Sequence, residues 1–97
     1  MFRHVALFSW KPEATGEQKQ ALAGELRTLP SQITELRAYH IGPDAGLRPG
    51  NFDFAVVADF DDRDGYLAYR DHPAHRAIID RYVTPMAAQR AAIQYEC

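Results

Sequence analysis

The sequence predicts a single α+β domain over residues 1–97, in which a four-stranded antiparallel sheet carries helices on one face. Two observations favour this class. Strand and helix patterns follow one another in the order strand, helix, strand, strand, helix, strand. The two clearest strands are also apolar on both faces, which is typical of buried strands, although so short a chain has few helices to cover them.

The chain opens with a strand and a helix. Residues Phe2–Trp10 alternate between two faces, and both faces carry apolar side chains. Thr15 and Gln18 have the spacing of a capping box. A helix is therefore expected from there to about Thr28, with leucines at helical spacing on its buried side.

Two further strands follow, separated by a loop. Leu36–Ile41 is predicted to be the second strand, which Gly42 and Pro43 end. The third strand, Phe52–Phe60, has the clearest alternation in the chain. The residues between them, 42–51, hold three glycines and two prolines and are predicted to form a loop.

Two helices and a strand complete the predicted fold. Asp61 is expected to cap a short helix that runs through Tyr69. A longer helix is expected over residues 73–83, because a proline fits the first helical position, where its missing N–H would be unpaired anyway. The pair Thr84-Pro85 is expected to interrupt it, and the last strand is predicted over Ala91–Glu96.

This order of elements corresponds to the ferredoxin-like β-α-β-β-α-β arrangement. The sheet face without helices would carry apolar side chains, namely Val5, Leu7, Ala55 and Val57. A bare apolar sheet face in so small a protein predicts a homodimer, with two sheets packed face to face in a dimeric α/β barrel.

Composition excludes several classes of partner. The net charge is −2 and the arginines are spread along the chain, so nucleic acid is not an expected partner. No apolar stretch approaches the roughly 20 residues that span a bilayer, so no membrane association is expected. The chain enters its first strand at once, which leaves no room for a signal peptide, and its single cysteine, Cys97, fits a reducing compartment. We expect a cytoplasmic protein.

The segment 69–75 concentrates side chains that can move protons. It holds Tyr69, His72 and His75 around the proline that starts the longer helix. The positive end of the helix dipole disfavours an imidazolium in the first turn, so His75 should be biased towards its neutral form. A neutral imidazole can accept a proton and a nearby phenol can polarise a substrate oxygen. The structural alternative is that His72 caps the helix and His75 only packs.

Several segments together resemble the stress-responsive A/B barrel (Dabb) domain family. They are the opening His4-Val5-Ala6-Leu7-Phe8, the loop start Ile41-Gly42, the run Phe54-Ala55-Val56-Val57 with Phe60, and the segment 69–75 with its HPAH core. The resemblance covers about residues 3–96, almost the whole chain.

The resemblance implies a homodimer with a small-molecule pocket between the helices and the sheet, and chemistry without a cofactor. In olivetolic acid cyclase, a plant member that closes a linear polyketide by an aldol reaction, a histidine and a tyrosine do the acid–base work. By position these resemble His75 and Tyr69, the predicted catalytic residues, and a pocket histidine of the first strand resembles His4. The chain departs from the cyclase where aromatic residues of the first helix are replaced by Leu22, Ala23 and Leu26.

Strand parity supports this pocket independently. His4 shares a strand face with Ala6 and Phe8, and Phe54 and Val56 share the corresponding face of the third strand. A histidine on an apolar face costs roughly 1–3 kcal/mol if its nitrogens stay unpaired, so His4 is expected to meet a ligand, a water, Tyr69 or Asp71. The predicted substrate-binding residues are His4, Ala6, Phe8, Leu22, Leu26, Tyr39, Phe54, Val56 and His72.

Other polar groups near the pocket have less defined roles. Asp71 either orients an imidazole or stabilises the helix N-terminus in solvent. Arg37 shares the parity of Tyr39 and could reach an anionic group at the pocket rim, whereas His40 is placed outside the site. No HExxH motif, acidic loop or glycine-rich phosphate loop is present, so neither a metal nor a nucleotide cofactor is expected.

Three functions compete at this stage. The first is a cofactor-free lyase or cyclase of aldol type that acts on a carbonyl-containing, polyketide-like or aromatic molecule. The second is a cofactor-free monooxygenase, a class that shares the dimeric barrel and often carries a tryptophan in its pocket; Trp10 is the only tryptophan here. The third is a non-catalytic, stress-responsive ligand-binding protein.

Overall fold

In the computed structural model, which describes residues 1–97, four strands form one antiparallel sheet and the helices lie on one of its faces. The strands are β1 (Phe2–Trp10), β2 (Ala38–Pro43), β3 (Phe54–Phe60) and β4 (Ala87–Glu96). The helices are α1 (Gly16–Leu26), α2 (Leu29–Gln32), α3 (Arg63–Asp71), α4 (Pro73–Ile78) and α5 (Thr84–Met86), with a π-helical turn over Ile79–Val83. The strand order is β2-β3-β1-β4, as the ferredoxin-like arrangement requires. None of the helices has the length and apolar character needed to cross a membrane.

The register between β1 and β3 gives the sheet two different faces. His4 lies opposite Ala58 and Ala6 lies opposite Val56, and this inner face is buried under the helices. Val5 lies opposite Val57 on the outer face, which no helix covers and which stays half-exposed. The predicted division of the strand residues between two faces is confirmed.

The start of α1 follows the capping signal in the sequence. The Thr15 hydroxyl accepts a hydrogen bond from the Gln18 N–H at 3.2 Å, and the Gln18 side chain accepts one from the Thr15 N–H at 2.8 Å. These bonds satisfy two donors that the helix leaves free. The helix then buries Leu22 and Leu26 against the sheet.

Three predicted elements have boundaries that are displaced by one or two residues. The second strand is Ala38–Pro43 rather than 36–41, and the third begins at Phe54 rather than Phe52. The cap of α3 is Asp62, not Asp61, because the Asp62 carboxylate accepts the Gly65 N–H at 2.9 Å. Asp61 pairs with an arginine instead. Neighbouring aspartates give equivalent capping signals, so the sequence alone does not choose between them.

The prediction that Thr84-Pro85 interrupts the last helix is wrong. The helical path continues through the π turn to Met86, and the Thr84 N–H donates to the carbonyl of Ile79, five residues earlier. Pro85 is the second residue of α5 and follows the π turn directly.

The last strand is correspondingly longer than predicted, beginning at Ala87 rather than Ala91. Residues 87–90 are held by pairing with the end of β1, where a bulge lies between Ser9 and Trp10. Their own side chains show no strand pattern, so this pairing was not visible in the sequence.

Candidate active site between the helices and the sheet

A cavity of about 140 Å³ lies between the inner sheet face and the helices. Its wall is mainly apolar and is formed by His4, Ala6, Phe8, Leu26, Val56, Tyr66, Tyr69, His75, Ile79 and Val83. A cavity of about 150 Å³ in another protein binds benzene, so this space suits a molecule with a single ring or a short chain.

A larger hollow of about 490 Å³ lies next to the loop after β2 and includes the outer-face residues Leu7 and Ala55. It contains no histidine, tyrosine or cysteine. We therefore place the candidate site in the smaller cavity, where the groups that can transfer protons converge.

His75 reaches the cavity from the first turn of α4. Its Nδ1 lies 3.1 Å from the Arg70 carbonyl oxygen, and because a carbonyl only accepts, Nδ1 carries the proton. Nε2 then has a free lone pair. Burial lowers the pKa of His75, an effect that the Arg70 carbonyl partly opposes, so the ring is neutral near pH 7.

His4 reaches the cavity from β1 and is 8% exposed. Its Nδ1 lies 2.8 Å from the side-chain amide of Gln94 on the adjacent strand. Burial, and secondarily the proximity of His75, lowers the pKa of His4 to about 4, so this ring is also neutral at physiological pH. The Nε2 atom of His4 makes no hydrogen bond to the protein. Because every fully buried side-chain nitrogen has a hydrogen-bond partner, this Nε2 atom must be accessible to solvent or to a ligand.

The ring of Tyr69 packs near both histidines of the cavity. Its ring centroid lies 4.2 Å from that of His75 and 6.1 Å from that of His4. Its hydroxyl lies 3.1 Å from the hydroxyl of Tyr39 on β2. Burial raises the pKa of Tyr69 well above its ordinary value and that of Tyr39 to about 12, so both are neutral phenols.

The structure brings seven of the eleven predicted site residues together around this cavity. They are the two predicted catalytic residues His75 and Tyr69, and the predicted binding residues His4, Ala6, Phe8, Leu26 and Val56.

The other four predicted binding residues lie outside the cavity wall. Leu22 is fully buried in the core beside it. Phe54 packs against Trp10 and borders the outer hollow. Tyr39 reaches the site only through the hydroxyl of Tyr69. The Nδ1 atom of His72 accepts a hydrogen bond from the Ala74 N–H at 3.1 Å. His72 therefore caps α4, which was the structural alternative to a role in substrate binding.

Four residues of the site were missed in the sequence. Tyr66 lies one helical turn before Tyr69 and packs against His4 with tilted rings whose centroids are 4.9 Å apart, a position that helical spacing could have revealed. Ile79 and Val83 enter the wall through the π turn, and Gln94 belongs to the strand whose start was misplaced. The sequence gives no signal for the π turn or for the register of β4.

The charged groups near the site are paired with one another at the surface. Asp71 binds Arg70, with the shorter contact at 2.9 Å, and does not orient an imidazole. Arg37 binds Asp61 at 2.8 and 3.0 Å, so it is not directed at the cavity. No three side chains of histidine, cysteine, aspartate or glutamate are grouped so that they could hold a metal ion.

Fold and site together define a class: a small ferredoxin-like α+β protein with an apolar cavity that contains two neutral imidazoles and a phenol. The chain belongs to the stress-responsive A/B barrel domain family, whose model matches residues 2–97. This agrees with the resemblance noted in the sequence.

Similar proteins come from bacteria and plants. An uncharacterised protein of Streptomyces coelicolor is 35% identical over 79% of this chain and 81% of its own length. A stress-response A/B barrel domain-containing protein of Arabidopsis thaliana is 30% identical over 95% of this chain and 92% of its own length. The crystal structure of a dimeric ferredoxin-like protein of unknown function from Thermobifida fusca has 47% identity and a TM-score of 0.92, covering 99% of this chain and 90% of that one.

More distant structures share the fold alone. A hydroxynitrile lyase from Passiflora edulis has 17% identity and a TM-score of 0.85, covering 97% of this chain and 90% of that one. An antibiotic biosynthesis monooxygenase has 18% identity and a TM-score of 0.80, covering 100% of this chain and 98% of that one.

Proposed function

We propose that this protein is a cytoplasmic homodimer that transfers protons to and from a small carbonyl compound, without a cofactor, in the cavity beside His75. The observation that carries the proposal is the His75 ring itself. Its hydrogen bond to the Arg70 carbonyl holds the proton on Nδ1, and burial keeps the ring neutral. A neutral imidazole with a free Nε2 is a general base.

The reaction begins when Nε2 of His75 removes a proton from the carbon next to the carbonyl. The electrons of the broken C–H bond then form an enolate, whose oxygen takes the negative charge. Hydrogen-bond donors stabilise that oxygen, and Tyr69 and His4 are the neutral groups within reach. Aldol cyclisation, retro-aldol cleavage, dehydration and isomerisation all use such a step.

The volume of the cavity narrows the substrate class. About 140 Å³ suits a single aromatic ring or a short ketone rather than an extended polyketide chain. The wall is mainly apolar and includes Leu26 and Phe8, which favours a substrate with a hydrocarbon body and one polar end.

Self-association is supported by the outer sheet face and by a relative. The half-exposed outer face joins Val5, Leu7, Ala55 and Val57 to Ile93 on β4, which is 59% exposed in the single chain. Monomers rarely leave such an apolar sheet uncovered. The 47%-identical protein is described as dimeric.

The proposal is tested by incubating the protein with acetophenone or cyclohexanone in D2O and using NMR to measure how fast the α-protons of the ketone exchange for deuterium. We expect the wild type to accelerate exchange and His75→Ala to lose about 10²–10⁴-fold of that rate, the usual contribution of a general base. Tyr69→Phe should lose at least tenfold. His40→Ala, at an exposed histidine, is the matched control. Exchange that persists in both His75→Ala and Tyr69→Phe would contradict the mechanism.

The two alternative functions are a cofactor-free monooxygenase and a non-catalytic ligand-binding protein. Trp10 stacks on Phe8 and packs against Phe54 outside the cavity wall, so the proposed monooxygenase would have no tryptophan in its site. A non-catalytic ligand-binding protein is consistent with the family's stress-responsive members. It predicts that acetophenone binds without exchange of its protons.

A further inference from the structure

We propose that Gln94 is a positioning residue that fixes the tautomer of His4, so that His4 presents an N–H donor to the substrate oxygen. This inference rests on the proposed function and names a group that would act through His4 rather than on the substrate itself.

The sheet register places the two side chains together. Gln94 on β4 lies directly opposite His4 on β1, so both side chains project from the same face of neighbouring strands. The Gln94 amide nitrogen lies 2.8 Å from Nδ1 of His4. With the NH2 group of the amide at this position, the amide donates and Nδ1 accepts, so the single proton of the neutral ring is held on Nε2.

The opposite arrangement holds at His75. There the partner is the Arg70 carbonyl, which only accepts, so the proton is on Nδ1 and Nε2 is free. Both residues line one cavity, and their rings carry complementary Nε2 atoms, an N–H on His4 and a lone pair on His75. A ligand with a removable C–H proton beside a carbonyl oxygen matches both atoms at once.

The chemical step balances with these groups alone. The proton moves from the substrate carbon to Nε2 of His75, the C–H electron pair becomes the enolate double bond, and the oxygen accepts a hydrogen bond from Nε2–H of His4. If His4 carried its proton on Nδ1 instead, its Nε2 lone pair would face the developing negative charge and repel it. The tautomer of His4 therefore decides whether it assists or opposes the reaction.

Gln94 is suited to mutation because it is exposed on an edge strand. A shorter or apolar side chain there opens no core cavity. Gln20 lies on α1, is exposed, and belongs to neither face of the sheet. The same substitution at Gln20 thus provides a control for the added charge.

The test uses the ring 15N signals of His4 in the whole protein at pH 8, without ligand. We expect Nε2 to be protonated in the wild type and in Gln20→Glu. In Gln94→Glu the carboxylate accepts from Nδ1–H, so the proton should move to Nδ1. A wild-type ring protonated on Nδ1, or a Gln94→Glu ring that keeps its proton on Nε2, would overturn the assignment.

Exchange of acetophenone protons supplies the functional readout. Gln94→Glu should lower the exchange rate by about 10–100-fold, somewhat less than the loss of a complete oxyanion donor, whereas Gln20→Glu should match the wild type. Unchanged exchange in Gln94→Glu with an inverted tautomer would overturn the positioning role. If the wild type exchanges no ketone protons, the proposed function fails, while the nitrogen signals still decide what Gln94 does to His4.

Discussion

At the scale of single residues, the site depends on burial keeping two histidines neutral. Most of the residues that meet at the cavity could be predicted, because strand parity and the HPAH segment each identify part of it. His72 could not be placed in the same way. A histidine before a helix proline can cap or enter a pocket, and only the 3.1 Å bond to the Ala74 N–H decides for the cap.

The lowered pKa of His4 makes stability depend on pH. The pKa of His4 in the folded state is about 4, below the ordinary 6.5. Between these two pH values the unfolded chain therefore binds a proton at His4 that the folded chain does not bind. We expect the stability contribution to be complete above pH 6.5 and to fall by up to about 3 kcal/mol as the pH drops to 4.

Denaturant unfolding between pH 7 and pH 4 measures this effect. His4→Gln, which keeps a polar side chain, should flatten the curve over that range, and the exposed His40→Gln should follow the wild type. Equal slopes for the wild type and His4→Gln would show that His4 titrates alike in both states.

At the scale of elements, the sequence predicted where helices and strands occur better than where they end. The capping box at Thr15 is a specific two-residue pattern and was located correctly. The π turn was not, because its wide hydrogen bond from Thr84 to Ile79 leaves no mark in the sequence. That turn carries Ile79 and Val83 into the cavity wall, so the error in the element also hid two residues of the site.

The corrected cap of α3 gives a prediction at this scale. Asp62→Ala removes the carboxylate that accepts the Gly65 N–H and should lower the free energy of unfolding by about 1 kcal/mol. Asp61→Ala removes only a solvent-exposed pair with Arg37 and should cost at most a few tenths of a kcal/mol. Urea denaturation measures the free energy of unfolding of both variants. A larger loss of stability in Asp61→Ala than in Asp62→Ala would contradict the assignment of Asp62 as the cap.

At the scale of the whole molecule, the sheet separates two roles. Its inner face encloses the cavity, and its outer face is the half-exposed apolar surface on which we propose that a second copy packs. This division was predictable, because side chains of a strand alternate and both faces of β1 and β3 are apolar in the sequence. That Ile93 and Tyr95 of β4 lie on this outer face follows only from the strand register, which pairs them with Val5 and Arg3.

The proposed dimer is tested by a charge on the outer face. Val57→Asp places a carboxylate opposite Val5 at the centre of that face, where burial in an interface would desolvate it. We expect a dimer for the wild type at micromolar concentration by light scattering, and a monomer for Val57→Asp. Leu47→Asp, at a loop residue that is 88% exposed, should remain dimeric. A monomeric wild type would refute the proposed assembly.

The central claim, that neutral His75 is the base, is tested most directly by the pH dependence of acetophenone proton exchange. Because burial lowers the pKa of His75 below its ordinary 6.5, the rate should rise with pH and reach half of its maximum below pH 6.5. His75→Ala should show no such rise. A wild-type rate that stays at the uncatalysed level, or that rises only above pH 6.5, would contradict the account.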